Sequence, residues 1–201
     1  MAVHGTAVIA AGVKIPASAS IGEGASIGAG ASIGKWAYIG EGASIGERAS
    51  IGAGASIGAG ASIGKWASIG KGASIGAGAR IGEGARIGEG ASIGAEASIG
   101  EWARIGEWAS IGEWASIGAE ASDPLDLGSC EGYRKVIAHV NGVAYIGAGC
   151  RWFPLAEAEE HWKDREDRPL TRALMLAARE IARIKGWADR PASAAVHTEA
   201  M

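Results

Sequence analysis

Aspartate is missing from the first 122 residues of this 201-residue chain; the first is Asp123. Repeat proteins that bind calcium along a solenoid need aspartate, so that class is excluded. Phenylalanine occurs once, against 34 glycines, which leaves material only for a thin aliphatic core. The two cysteines, Cys130 and Cys150, form no Cys-x-x-Cys pair, and His139 and His161 fall on different elements. Those four residues therefore match no paired-ligand zinc motif, and no metal or other cofactor is expected. Charge of either sign is scarce in excess: the net is -3, and the stretch before Asp123 carries ten Glu against eight Lys or Arg. This leaves no basic surface for nucleic acid and too little acid for a DNA mimic. No apolar run is long enough to span a membrane, and Met1 to Ala10 has neither a basic start nor a cleavage site. The expected location is cytoplasmic, where the cysteines stay reduced.

What fills the sequence is one six-residue unit, Ile-Gly-x-Gly-Ala-Ser and its variants, from about Val3 to Ser122. An aliphatic stands at every sixth position: Val3, Ile9, Ile15, Ile21, and on through Ile105, Ile111 and Ile117. A small residue follows four positions later, as at Ala25, Ala31 and Ala37, with Val13 as a variant. Ala-Ser-Ile-Gly alternates in and out as a short strand does. The two residues left over, such as Glu23-Gly24 or Lys35-Trp36, suit a corner whose second position needs positive φ. Such a strand cannot bury its Ile alone, so the copies must coil and stack. Collagen is excluded because Gly is not at every third position. Silk-like flat stacking is excluded by the recurring Ile and the charged corners.

The pattern Ile-Gly-x-x-Ala-x resembles the hexapeptide repeat of left-handed parallel β-helix proteins. That resemblance implies a triangular solenoid with three hexads, hence 18 residues, per coil, an exception to right-handed crossovers. It also implies frequent homotrimers. Twenty hexads give six coils and two hexads over, a prism about 30 Å long at strand spacing. Acyltransferases of this fold rely on a histidine and usually extrude loops between coils. This chain has no insertion, and its only repeat histidine, His4, is expected to be a polar residue of the terminal coil. Carbonic anhydrases of this fold need three metal-binding histidines, which the coils do not supply. Ice binding is disfavoured because the outward Ser lacks the methyl of Thr and is replaced at Tyr38, Arg80, Arg86 and Arg104.

Tryptophan takes the second corner position at Trp36, Trp66, Trp102, Trp108 and Trp114. The last three are consecutive and fall on three corners of one level. They form a girdle read either as a contact ring for a protein partner or as a corner residue copied by repeat duplication.

The composition changes at Asp123, which divides the chain into a β-helix over 1–122, a small α+β cap over 123–188 and a polar tail over 189–201. Within the cap, Tyr133 to Val140, Asn141-Gly142 and Val143 to Ala148 read as a hairpin. Its register pairs Ile137 with Ile146, Val140 with Val143 and Tyr133 with Cys150, and places Cys130 against Phe153. The cysteines are then out of register for a disulfide. Two helices follow. One runs from Leu155 to Trp162, with Leu155, Ala158 and Trp162 on one side. The other runs from about Leu170 to Lys185, capped by Asp167-Arg168-Pro169, with an inward stripe of Leu170, Leu174, Ala177, Ile181 and Ile184. That stripe is expected to pack on the hairpin, with the open end of the β-helix as a further docking place.

Gly149-Cys150-Arg151-Trp152-Phe153, Leu155-Ala156-Glu157-Ala158 and His161-Trp162 together also resemble a C-terminal piece of uncharacterised phage and prophage proteins. A virion-associated location follows if the chain is phage-encoded. Unbroken coils without catalytic histidines favour a noncatalytic assembly or binding module, a homotrimer that contacts partners through Trp102, Trp108 and Trp114 or through the cap, and not an enzyme. The alternative is an acyltransferase that uses an acyl-coenzyme A donor. It requires the cap to fold back and bring His139 or His161 to the coils.

Overall fold

The computed structural model describes residues 2–148 and 151–188. Among them, nineteen two-residue strands, β1 (Ala2–Val3) to β19 (Ser116–Ile117), are the rungs of a β-solenoid of about six turns. Up to β17, each rung pairs in parallel with the strand 18 residues on, as in Ser62↔Arg80 and Ile63↔Ile81. The rungs sort onto three sheets, two of seven strands and one of nine. The alternation explains the sorting. Ile and Ala turn inward and are buried from Ala19 to Ile105 almost without exception, while Ser or Arg turns out.

Backbone hydrogen bonds join the coils: the Ser62 N–H donates to Ala79 O at 2.9 Å, and the Gly64 N–H to Ile81 O at 2.7 Å. The Gly that follows each repeat Ile from Ile21 on is what permits this spacing. A Cβ on Gly58 would lie 2.5 Å from Ala77 N of the next coil. The second corner residue is left-handed as expected, at φ +66 for Gly60 and also for Arg48, Glu96 and Trp102 at φ 55 to 58. The corner N–H bonds the coil beneath whichever residue stands there, as Gly60 N to Glu41 O and Trp102 N to Glu83 O, both at 2.8 Å.

The repeat stops at Ser122, but the sheet does not. Strand β20 (Ser122–Cys130) pairs with β17 (Arg104–Ile105) through Arg104↔Ser122 and then runs antiparallel to β21 (Tyr133–Val140). It absorbs Asp123-Pro124 through register shifts between Ser122 and Leu125 and again between Asp126 and Gly128. A second two-residue turn, Glu131-Gly132 at φ 49 and 82, joins β20 to β21. The hairpin of β21 with β22 (Val143–Ala148) has the expected pairs Ile137↔Ile146 and Val140↔Val143. Cys130, however, pairs with Tyr133, and Phe153 of β23 (Arg151–Pro154) pairs with Ile146. The expected Tyr133–Cys150 pair lies outside the described residues.

The two faces of β21 serve two cores. Val136, Ala138 and Val140 join the solenoid core and close its open end. Ile137 belongs to a second core with Ile146, Leu155, Ala158, Trp162 and Met175. The last coil also needs acceptors for its upward N–H groups. Gly94 N finds Ile111 O at 2.7 Å; one coil later, Gly112 N finds the Asp126 carboxylate instead, at 2.8 Å. Asp126 is held there by Arg134, with both guanidinium contacts at 2.7 Å.

Helix α1 (Leu155–Trp162) buries the three residues expected of it. Helix α2 (Pro169–Lys185) ends at a left-handed Gly186, also as expected, but its inward stripe is corrected. Thr171, Met175, Ala178 and Ala182 are buried, whereas Leu170 and Ile184 are 59 % and 70 % exposed. The cause is a remote cap. Glu131 accepts from Leu170 N at 2.9 Å and from the Thr171 hydroxyl at 2.5 Å, which turns Thr171 inward. Desolvation pushes the Glu131 carboxyl up, but the Thr171 hydroxyl, the Leu170 and Thr171 N–H groups and the Arg168 charge outweigh it and hold the group below its ordinary value. Asp167, the expected cap, pairs with Arg165 instead. The helices thus pack on the sheet, and the sheet covers the end of the solenoid. No described helix is long and apolar enough to cross a membrane.

Candidate functional site

On the nine-stranded sheet the outward positions form one column: Ser32, Ser50, Ser68, Arg86, Arg104 and Ser122. Arg86 and Arg104 are direct register partners, an arrangement of like charges that costs a fraction of a kcal/mol. Neither makes an ion pair among the described residues. Trp102 stands at the corner before this face and Trp108 at the corner after it. Both rings fold back over the coil beneath, so that a Cβ on Gly84 would enter the Trp102 ring and one on Gly90 the Trp108 ring. The result is a pair of arginines framed by two exposed indoles, a surface suited to phosphate groups and a stacked base.

The cap brings a histidine to the top of this column. Ser122 pairs with His139 of β21. Trp102, Arg104, Glu120, Ser122, His139 and Asn141 line a pocket of about 340 Å³. His139 Nε2 lies 3.9 Å from Asp123 Oδ2, an ion-pair distance, and the side chain is 24 % exposed. Its Nδ1 accepts the Gly142 N–H at 3.3 Å, a contact near the outer limit for hydrogen bonding, so the neutral ring carries its proton on Nε2. Trp187 packs against the imidazole with ring centres 5.0 Å apart. A histidine beside a carboxylate in a partly enclosed pocket can take a proton from an attacking nucleophile, and the carboxylate then stabilises the imidazolium.

Of the girdle expected from sequence, Trp102 lines this pocket and Trp108 frames the far edge of the same face. Trp114 sits on the third corner, where its N–H donates to Ala95 O at 3.0 Å, apart from both. His161 is packed between Phe153 and Trp162. His4, at the opposite end of the solenoid, bonds Thr6 at 2.9 Å. No group of three or more metal-ligating side chains occurs among the described residues, and Cys150 lies outside them. Sequence reasoning missed Asp123 as the partner of His139 and Asp126 as the cap of the last coil. The one signal for either is that the first aspartates of the chain occur where the repeat ends.

Residues 24–59, 54–88 and 84–119 match the family model described as bacterial transferase hexapeptide (six repeats). The repeats of this chain are hexapeptide repeats of that kind. No curated protein matches the chain. Among solved structures, the acetyltransferase domain of PglB from Neisseria gonorrhoeae FA1090 in complex with acetyl coenzyme A is 22% identical, with a TM-score of 0.52 over 55% of this chain and 53% of that one. The UDP-N-acetylglucosamine acyltransferase of Francisella novicida is 24% identical, with a TM-score of 0.57 over 60% of this chain and 51% of that one. The chain thus spans about half the length of these structures, and the likeness is one of fold.

These matches overturn the expectation of a noncatalytic module that is not an enzyme. The family is described as a transferase, and both solved structures named above are acyltransferases. The expectation rested on coils without a catalytic histidine. Strand β21 removes that objection, because the cap supplies His139 to the coil from outside the repeat.

Proposed function

We propose that this protein is an acyltransferase that takes its acyl group from a coenzyme A thioester and works as a homotrimer. The observation that carries this reading is the pocket that joins His139, itself beside Asp123, to Trp102 and Arg104 at the head of the Arg86–Arg104 column. Arg86 and Arg104 bind the phosphates of the donor, and an indole face stacks on its adenine. The thioester then reaches toward Ser122 and His139. His139 accepts the proton of the acceptor's amine or hydroxyl as that group attacks the thioester carbonyl. The Gly142 N–H contact opens to free Nδ1 for the proton, and Asp123 stabilises the imidazolium. Collapse of the adduct expels the thiolate, which takes the proton back from His139, so the products are the acylated acceptor and free coenzyme A. The trimer reading rests on the hexapeptide resemblance. It leaves Trp114 as the girdle residue for contact between copies, with residues 1–122 as the catalytic prism and 123–188 as the cap that completes the site.

The test is release of coenzyme A thiol from acetyl coenzyme A with a panel of amine and hydroxyl acceptors. His139→Asn should lower the rate by about 10² to 10⁴ while donor binding is retained. No thiol release above the uncatalysed rate with any acceptor would count against the reading.

A further inference from the structure

A second cavity, of about 250 Å³, lies on the other side of the cap, between β21 and the two helices. Tyr133, Lys135, His161, Arg165, Arg168 and Thr171 line it. Its floor is Lys135, which is only 1 % exposed. The ammonium donates to two neutral carbonyls, Cys130 O at 3.3 Å and Tyr133 O at 3.2 Å. No carboxylate pairs with it among the described residues. A buried ammonium is costly without a counter-charge, and it retains a third N–H.

The neighbouring charges do not supply that counter-charge. Asp167 is committed to Arg165 through two contacts, 2.8 and 2.9 Å, and lies 3.7 Å from Arg168. The Arg165 hydrogen bond holds the Asp167 carboxyl down to about 2, so the group stays ionised at any ordinary pH. Glu131 spends its carboxylate on the start of α2, and its own carbonyl accepts from Arg168 Nη1 at 3.0 Å. Three cations thus share two carboxylates, and neither carboxylate pairs with Lys135. Tyr133 adds an aromatic wall, with Lys135 5.6 Å and Arg168 5.4 Å from the ring centre. The start of α2 is occupied by Glu131 and takes no part.

We propose that this cavity is a binding site for a small oxyanion, a phosphate or carboxylate carrying only a few carbon atoms, with Lys135 as its counter-charge and Arg168 at its mouth. The site is separate from the His139 pocket and does not depend on the acyl-transfer reading. Isothermal titration of the full-length protein with inorganic phosphate, and separately with acetate, tests it. Saturable, salt-sensitive binding of at least one of the two at millimolar concentration is expected. Lys135→Met, a neutral residue of similar length that spares the core, should weaken it at least about tenfold. Arg168→Gln, at a partly exposed position, should weaken it several-fold. Binding of phosphate alone identifies a phosphate site, and binding of acetate alone a carboxylate site. Absence of saturable binding by both anions, or binding left unchanged by both substitutions, overturns the proposal.

Discussion

Replacing Gly58 by alanine should destabilise the solenoid far more than replacing Gly60, two residues away, although both are glycines of the same hexad. A Cβ on Gly58 would lie 2.5 Å from Ala77 N, 2.7 Å from Gly76 C and 2.8 Å from Ala77 Cα, all backbone atoms of the next coil. Ordinary contact begins near 3.4 Å, so the coils must part by about 0.9 Å. The adjoining bonds, Gly58 N to Ile75 O at 2.8 Å and Gly78 N to Ala59 O at 2.9 Å, would then stretch beyond hydrogen-bonding range. Two lost bonds at about 1 kcal/mol each, plus an overpacking cost of about 1 to 3 kcal/mol, give about 3 to 5 kcal/mol. Gly60 has nothing within 4 Å and pays only for φ +66, about 1 to 2 kcal/mol. Urea unfolding followed by circular dichroism, with both variants compared to the parent, measures the difference. Equal destabilisation, or a larger effect at Gly60, would refute the argument that the coil spacing itself demands this glycine.

Three further outcomes follow from the cap and the site. Asp126→Asn should cost about 1 to 3 kcal/mol by weakening the acceptor shared by Gly112 N and Arg134, with faster amide exchange at Gly112 as its local signature. Because the folded Glu131 carboxyl lies below its ordinary value of 4.5, it stabilises the cap fully above that value, and the stabilisation is lost as pH falls through the lower folded value. The helical circular dichroism signal should therefore decline on acidification below that pH, and Glu131→Gln should flatten the dependence while lowering the melting temperature at neutral pH. Arg86→Ala should weaken acetyl coenzyme A binding about tenfold and reduce its salt dependence, whereas Arg80→Ala, on a different sheet, should do neither.

The solenoid was legible because its information is local and repeated: Ile every sixth residue, Ala four later, and a corner between them fix strand, face and coil without any long-range contact. Helix α1 was legible for the same reason. The rest depends on contacts between distant residues. Asp123-Pro124 ends the repeat in sequence, yet Ser122 still pairs with Arg104 and β20 continues the sheet through two register shifts. The inward face of α2 could not be read from Leu170 and Ile184, because Glu131, some forty residues earlier, fixes its rotation by capping Leu170 and Thr171. The same applies to the site. Trp102 was visible as part of a girdle, and the 18-residue register stacks Arg104 on Ser122, but His139 joins them only through its pairing with Ser122, which no periodicity announces.

The most direct measurement is titration of the purified protein with acetyl coenzyme A, alongside Arg104→Ala and His139→Asn. Saturable binding is expected, weakened about tenfold by Arg104→Ala and retained in His139→Asn, as a donor site with a separate proton acceptor requires. Absence of saturable binding, or binding indifferent to Arg104, would contradict the account.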